Sequence, residues 1–192
     1  AFIGEMSYLW MLLSPILTMR LLAEERQKKT EQLLLTSPVS VTGIVIGKYL
    51  AAATVLAMVT LLTLLYAGVV AIYGTVYPGE LAVNLLGFYL QGCAFAALDM
   101  YMSALAATPV TAAVMAFGAN FLLWMLDLLE GQIDISWLNQ TIQFLSLYSR
   151  NEAFLMGQLS PAGVLYNLSF CAVMLALTVH RVDERRWRRA KG

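Results

Sequence analysis

Charged residues are missing from long tracts of this sequence, and that pattern of gaps limits what the chain can become. Thirty-one consecutive residues between Lys48 and Glu80 carry no charge, and neither do the 28 between Glu152 and Arg181. Another 46 separate Glu80 from Asp127, interrupted by Asp99 alone. A helix crosses the hydrocarbon core of a bilayer with about 20 apolar residues. The 46-residue tract is too long for one such helix, and Pro109 supplies the break, because proline lacks an amide donor and disfavours helix at the residue before it. The gaps predict spans over 45–72, 81–103, 110–127 and 161–180. A fifth, over 3–20, has 14 uncharged residues between Glu5 and Arg20 and works with both charges at the interfaces.

Composition agrees. The chain is 60% hydrophobic and 12% charged, with a mean hydropathy of +0.72, whereas soluble domains are about half apolar and a quarter charged. Such a chain cannot cover itself with polar surface, so its solvent is lipid. This excludes a soluble enzyme, a disordered linker and a disulfide scaffold. Twelve basic and twelve acidic residues cancel, so nothing points to nucleic acid or another polyanion. Cys93 and Cys171 lie in apolar tracts, too few and too far apart in sequence for a metal site or redox motif. No catalytic constellation is visible.

The basic residues set the orientation. Arg20, Arg26, Lys28, Lys29 and Lys48 flank the loop after the first span, and Arg181, Arg185, Arg186, Arg188, Arg189 and Lys191 follow the last. Five spans put these eleven of the twelve basic residues on one side, leaving Arg150 opposite. That side is expected to be the cytoplasm, with the C-terminus there as a basic tail over 181–192. Ala1 then falls outside, and a further span is expected upstream of it.

The stretch Arg20–Lys48 clusters its charges at 24–31 between leucines that can share a helix face, then breaks at Thr36-Ser-Pro-Val-Ser40. It reads as an amphipathic helix along the cytoplasmic interface over 21–36, either a solvated connector or a surface that docks a soluble partner. The run TMRLLAEERQKKTEQLLLTSPVSVTGIVIGKYLAA, from Thr18, resembles the signature of ABC-2-type exporter permeases. It is closest to the gliding-motility-associated and multicopper-enzyme-maturation branch. The residues that carry the likeness are Thr18-Met19-Arg20, Glu24-Glu25-Arg26, Thr30-Glu31, Leu34-Leu35-Thr36, Pro38-Val39 and Gly47-Lys48. Lys29 stands where that pattern favours glycine, a departure that bears on the tight turn there and not on the assignment.

The resemblance implies six spans per subunit, of which this chain holds five. It also implies that the inner segment is a coupling helix seated on a cytoplasmic ABC ATPase, with Arg20, Glu24, Glu25, Arg26, Thr30 and Glu31 as its contacts. A second permease subunit, identical or different, would complete the complex in the inner or plasma membrane. The chain has no G-x-x-x-x-G-K-[ST] loop, so ATP and Mg are expected on the ATPase and no cofactor here.

The outer segment 128–158 is too polar to span and is expected to form an interfacial or re-entrant helical hairpin, either gating a route or sealing the rim. Its Asn139-Gln-Thr141 fits a glycosylation sequon but is given no weight. Asp99 is the one ionisable residue deep in an apolar tract. It reads as a polar point in the transport route, a conformational lock, or a structural carboxylate within reach of water or Lys48. Gly43-x-x-x-Gly47 permits close helix approach, within the subunit or across a dimer seam. His180 reads as an interfacial anchor, and the basic tail as a topology determinant touching anionic lipid or the ATPase. Ser103–Thr111 is a minor second candidate for ATPase contact.

The expected protein is all-α and polytopic, and not itself an enzyme. Its expected role is the permease subunit of an ATP-driven exporter. The rival reading is a non-transporting scaffold through which the ATPase drives an extracytoplasmic accessory protein. A secondary transporter or channel half is weakened by the lack of an internal repeat and of a charged intramembrane constellation.

Overall fold

The computed structural model describes residues 8–30, 40–73, 77–129, 146–147, 151, 153–154 and 156–190. They form six helices: α1 (Leu9–Thr18), α2 (Arg20–Gln27), α3 (Val41–Tyr73), α4 (Pro78–Leu105), α5 (Pro109–Leu129) and α6 (Pro161–Ala190). No strand occurs among the described residues.

Local chemistry explains where the helices start. Pro78, Pro109 and Pro161 are first helical residues, where a missing amide hydrogen costs nothing. Ser40 caps α3 by accepting the Gly43 N–H at 3.2 Å, and Ser160 caps α6 through Gly163 at 3.2 Å. At α5, Thr108 and Thr111 cap reciprocally: each hydroxyl accepts the other's backbone N–H, at 3.3 and 3.2 Å. The break expected at Pro109 is thus a three-residue connection, 106–108, between antiparallel helices.

α4 is the hub and contacts each of the other five helices. Of its most apolar 18-residue window 56% is buried, against 18–22% for α3, α5 and α6. Its sequence explains the position. Ala94, Ala96 and Ala97 are fully buried, and small residues let neighbouring backbones come close. Gly92 lies against the Trp10 indole, and Gly87 against Phe154, so tightly that a Cβ would sit 2.9 Å from the indole and 2.5 Å from the Phe154 Cβ. The Trp10 Nε1–H donates to the Phe88 carbonyl at 3.1 Å, pinning α1 to the hub.

Side-chain contacts fix the helix directions. Trp10 meets Phe88 and Arg26 meets Leu105, so α1 and α2 run parallel to α4. α6 does too, since Cys171 shares the Tyr49 hydroxyl with Cys93, and Arg185 donates to the Ala104 carbonyl. α3 runs the other way, with Tyr49 beside Cys93 and Val45 packed with Met100 and Ala104. One end of the bundle therefore gathers α2, the starts of α3 and α5, and the ends of α4 and α6. Arg20, Arg26, Lys28, Lys29, Lys48, Arg181, Arg185 and Arg186 all belong to that end.

The opposite surface logic holds on the outside. Leu61, Leu65, Ile72 and Val110 are each more than 60% exposed, as lipid-facing residues must be. Among the described residues four helices are long and apolar enough to cross a membrane: α3, α4, α5 and α6. The chain is an all-α polytopic membrane protein. α1 has 10 residues in the described region, and residues 3–7 of the 3–20 segment are not described.

Two boundaries differ from the gap-based reading. α3 begins at Val41, within the inner segment, because Ser40 caps it there. α6 does not stop at His180 but continues to Ala190, so the described part of the basic tail is a helical extension. It is laced by side-chain contacts one turn apart: Glu184 with Arg181 at 3.0 Å and with His180 at 3.5 Å, and Asp183 with the Trp187 indole at 3.3 Å. Most of the 128–158 segment, including the sequon, lies outside the described residues. Of the parts that are described, Leu147 and Phe154 are fully buried, whereas Met156 is exposed. Ser146 donates to Asp127 at 2.6 Å, and Asn167 to Asn151 at 3.0 Å.

Candidate functional site

α2 is the core of the expected coupling segment, and its three consecutive charges, Glu24, Glu25 and Arg26, point in different directions. On a helix each residue turns about 100° from the last, so adjacent side chains cannot share a partner. Arg20, Glu24 and Lys28 recur every fourth residue and form the outward stripe. Glu24 and Lys28 pair at 2.6 Å in the favourable order for a helix, with side chains 32% and 66% exposed. The Lys28 hydrogen bond and charge, with Arg20 and Lys48 nearby, hold the Glu24 carboxyl below its ordinary value.

Glu25 and Arg26 turn the other way, onto the bundle. Lys48, from α3, donates to Glu25 at 2.6 Å and to the Leu21 carbonyl. The Arg26 guanidinium donates to the Leu105 and Ala106 carbonyls at 3.1 and 2.7 Å. Those carbonyls are at the open C-terminal end of α4, where a cation is favoured. Ser103 completes the joint. Its hydroxyl accepts the Leu22 and Ala23 N–H groups at 3.2 and 3.1 Å and donates to the Met19 carbonyl at 3.1 Å. Leu22 and Ala23 are early in α2, where amides lack helical partners. α2 is thus bolted to the hub by one serine and one arginine, and to α3 by one lysine. A cleft of about 380 Å³ opens between α2 and α3, lined by Arg20, Leu21, Glu24, Glu25, Lys28 and Lys48 among others.

α2 ends in a tight turn despite the absence of glycine. Lys29 adopts a left-handed backbone, φ 58°, and its N–H donates to the Arg26 carbonyl at 3.2 Å. That is the helix-ending geometry that glycine usually supplies; in a lysine it costs about 1–2 kcal/mol. The Thr30 hydroxyl donates to the Glu25 carbonyl at 3.3 Å and closes the turn. Glu31 lies outside the described residues, as does the rest of the segment expected to be helical over 21–36 beyond Thr30; the described helix ends at Gln27.

Asp99 is fully buried one turn before Ser103 on the same face of α4. Lys48, its expected neighbour, is engaged with Glu25 instead. Ser14, Asn120 and Thr18 flank the carboxylate, yet neither of its oxygens accepts a well-formed hydrogen bond. Gln91, eight residues earlier, is also buried. Gln91, Asp99 and Ser103 thus form a polar stripe turned inward. Their spacing of eight and four residues is the signal in the sequence that marks Ser103 as a partner of Asp99's face.

Gly43 and Gly47 do not join this joint. Both are exposed, and a Cβ on Gly47 would meet nothing within 4 Å. Tight contacts fall instead at Gly87 and Gly92. Among the described residues no group of three or more His, Cys, Asp or Glu is placed to hold a metal. His180 is exposed beside Glu184. Cys93 and Cys171, distant in sequence, meet around the Tyr49 hydroxyl as free thiols.

Comparison with curated proteins returns no match. The model of the family described as "ABC-2 family transporter protein" matches residues 6–185, so the chain belongs to the ABC-2 transporter family, whose members are transmembrane permease components of ABC transporters.

Proposed function

We propose that this permease receives a separate cytoplasmic ABC ATPase on the outward stripe of α2 and transmits its movement into α4. The observation that carries this reading is the division of labour within α2. Glu25, Arg26 and the backbone at 19–23 are spent on the bundle, while Arg20, Glu24 and Lys28 are left facing solvent. A helix so fixed behind and so charged in front suits rigid-body transmission: charge-assisted bonds grip the partner, and packed elements carry the displacement. The set of residues expected to contact the ATPase therefore divides: Arg20, Glu24 and Thr30 belong to the docking face, Glu25 and Arg26 to the anchor.

The rest of the complex follows from the same end of the bundle. It faces the cytoplasm, with the C-terminal extension of α6 beside α2. ATP and Mg are bound and hydrolysed on the ATPase, not on this chain. A second permease subunit, identical or not, packs on the open face of α3 around Gly43 and Gly47, where nothing in this subunit fills the space. The chain serves as an exporter subunit in the cell membrane, of the branch associated with gliding motility and multicopper-enzyme maturation. The scaffold reading keeps one specific support. The buried polar groups Gln91, Asp99 and Asn120 are turned into a single subunit's interior, which suits an apolar cargo or none.

Transport by the reconstituted complex decides between exporter and scaffold. Docking is tested by cross-linking in native membranes. Cysteine at Arg20 or Lys28 is expected to join the ATPase, while cysteine at the buried Ala23 is not. Equal yields at 23 and 20, or none at 20 and 28, would refute the docking face.

A further inference from the structure

Asp99 brings a carboxylate into a position with no exposure at all. Unpaired, such a charge costs several kcal/mol. None of the nearby cations pairs with it. Lys48 bonds Glu25 and the Leu21 carbonyl, Arg26 bonds the end of α4, and Arg181 bonds Glu184. The elements packed against Asp99 present only neutral oxygens and amides. α1 brings Ser14 and Thr18, one turn apart and both buried, and α5 brings the buried Asn120.

These groups leave oxygen lone pairs unused. The Thr18 hydroxyl gives its hydrogen to the Ser14 carbonyl at 2.7 Å. The Asn120 Nδ2 donates to the Ser14 Oγ at 3.3 Å, while its Oδ1 has no partner, and neither Asp99 oxygen has one. Two carboxylate oxygens, two hydroxyl oxygens and an amide oxygen in one buried junction make a hard, oxygen-only donor set. One carboxylate sets the charge of the guest. A monovalent cation neutralises it, whereas a divalent one would leave a buried positive charge.

We propose that the junction of α1, α4 and α5 binds one monovalent hard cation of the sodium class, on Asp99, Asn120, Ser14 and Thr18. The site goes beyond the expectation that the chain holds no ion, and it does not depend on where the ATPase docks. It lies one helical turn from Ser103, so a bound ion ties α1 to α4 directly beside the joint that carries α2.

The test is thermal unfolding of the purified permease complex at fixed pH, in sodium chloride or equimolar choline chloride. At a hundredfold excess over the dissociation constant, sodium is expected to raise the permease midpoint by about 5 °C or more. Asp99→Asn keeps the shape and removes the charge, and should abolish the difference. Ser14→Ala, which leaves Asp99 intact, should require higher sodium for the same shift, and decides the matter if Asp99→Asn cannot be recovered. Equal wild-type midpoints in the two salts would overturn the site, as would a full shift persisting in Asp99→Asn, or an unchanged sodium requirement in Ser14→Ala. A midpoint that follows pH and ignores sodium would assign the carboxyl to a proton and equally overturn it.

Discussion

Alanine at position 26 is expected to leave the ATPase bound while cutting permease-stimulated ATP turnover about tenfold or more. Arg26 is turned away from the docking stripe, and its guanidinium holds the Leu105 and Ala106 carbonyls at 3.1 and 2.7 Å. Hydrogen bonds to a charged group contribute about 1.5–3 kcal/mol each. Tenfold corresponds to about 1.4 kcal/mol, so losing even one bond's share of the joint accounts for the drop. Ser103 still ties the start of α2 to the hub, so the helix should stay in place but slip at its far end. Arg26→Lys, which keeps the charge but not the fork, should recover part of the coupling. The measurement is steady-state ATPase activity of the reconstituted complex, alongside the ATPase-to-permease ratio after purification. Loss of the ATPase from Arg26→Ala would place this residue in the docking face. Unchanged stimulation would mean that movement reaches α4 by another path.

The second large effect is expected from exchanging two charges, Arg20→Glu together with Glu24→Arg. The exchange preserves net charge and replaces the Glu24–Lys28 pair with an opposite-charge pair at positions 20 and 24, a change of a few tenths of a kcal/mol, so α2 and the inserted permease should persist. Complementarity to a partner is inverted at two adjacent points, and like charges brought together across an interface cost several kcal/mol. Affinity for the ATPase should fall about 100-fold, read as loss of co-purification at normal permease yield. Glu25→Lys is the contrasting variant. It sets a second cation against Lys48, half-buried at 2.6 Å from the present carboxylate, and should lower the yield of the permease itself. If the double exchange co-purified normally while Glu25→Lys shed the ATPase from an intact permease, the two faces of α2 would be assigned the wrong way round.

How much of this was legible in the sequence depends on the kind of physics involved. Lipid tolerates almost no charge, so the gaps between Lys48, Glu80, Asp127 and Arg181 mark α3, α4, α5 and the start of α6 within a few residues, and Pro109 divides α4 from α5 by simple valence. The centre of the bundle is another matter. All four long helices are apolar enough to cross, and what sets α4 apart is small residues at 92–97 meeting Trp10, some 80 positions away. No local pattern encodes that pairing. The motif Glu24-Glu25-Arg26 is visible as charge, but its partition into inward-bonded and outward-facing residues depends on Lys48 and on the end of α4, both distant in sequence. Asp99 was recognisable as costly. Its expected neighbour, Lys48, is nonetheless engaged by α2, where its amine bonds Glu25 and the Leu21 carbonyl. Nor could the end of α6 be found from apolarity, since its last turns are held by Arg181, Asp183, Glu184 and Trp187.

The most direct test of the central claim is the sidedness of the basic end. Cysteines replacing Lys28 and Arg186, in a background lacking Cys93 and Cys171, would be labelled with an impermeant maleimide in right-side-out and inverted membrane vesicles. Both are predicted to react in inverted vesicles and to stay unlabelled in right-side-out ones. Labelling of the two from opposite sides would contradict the account.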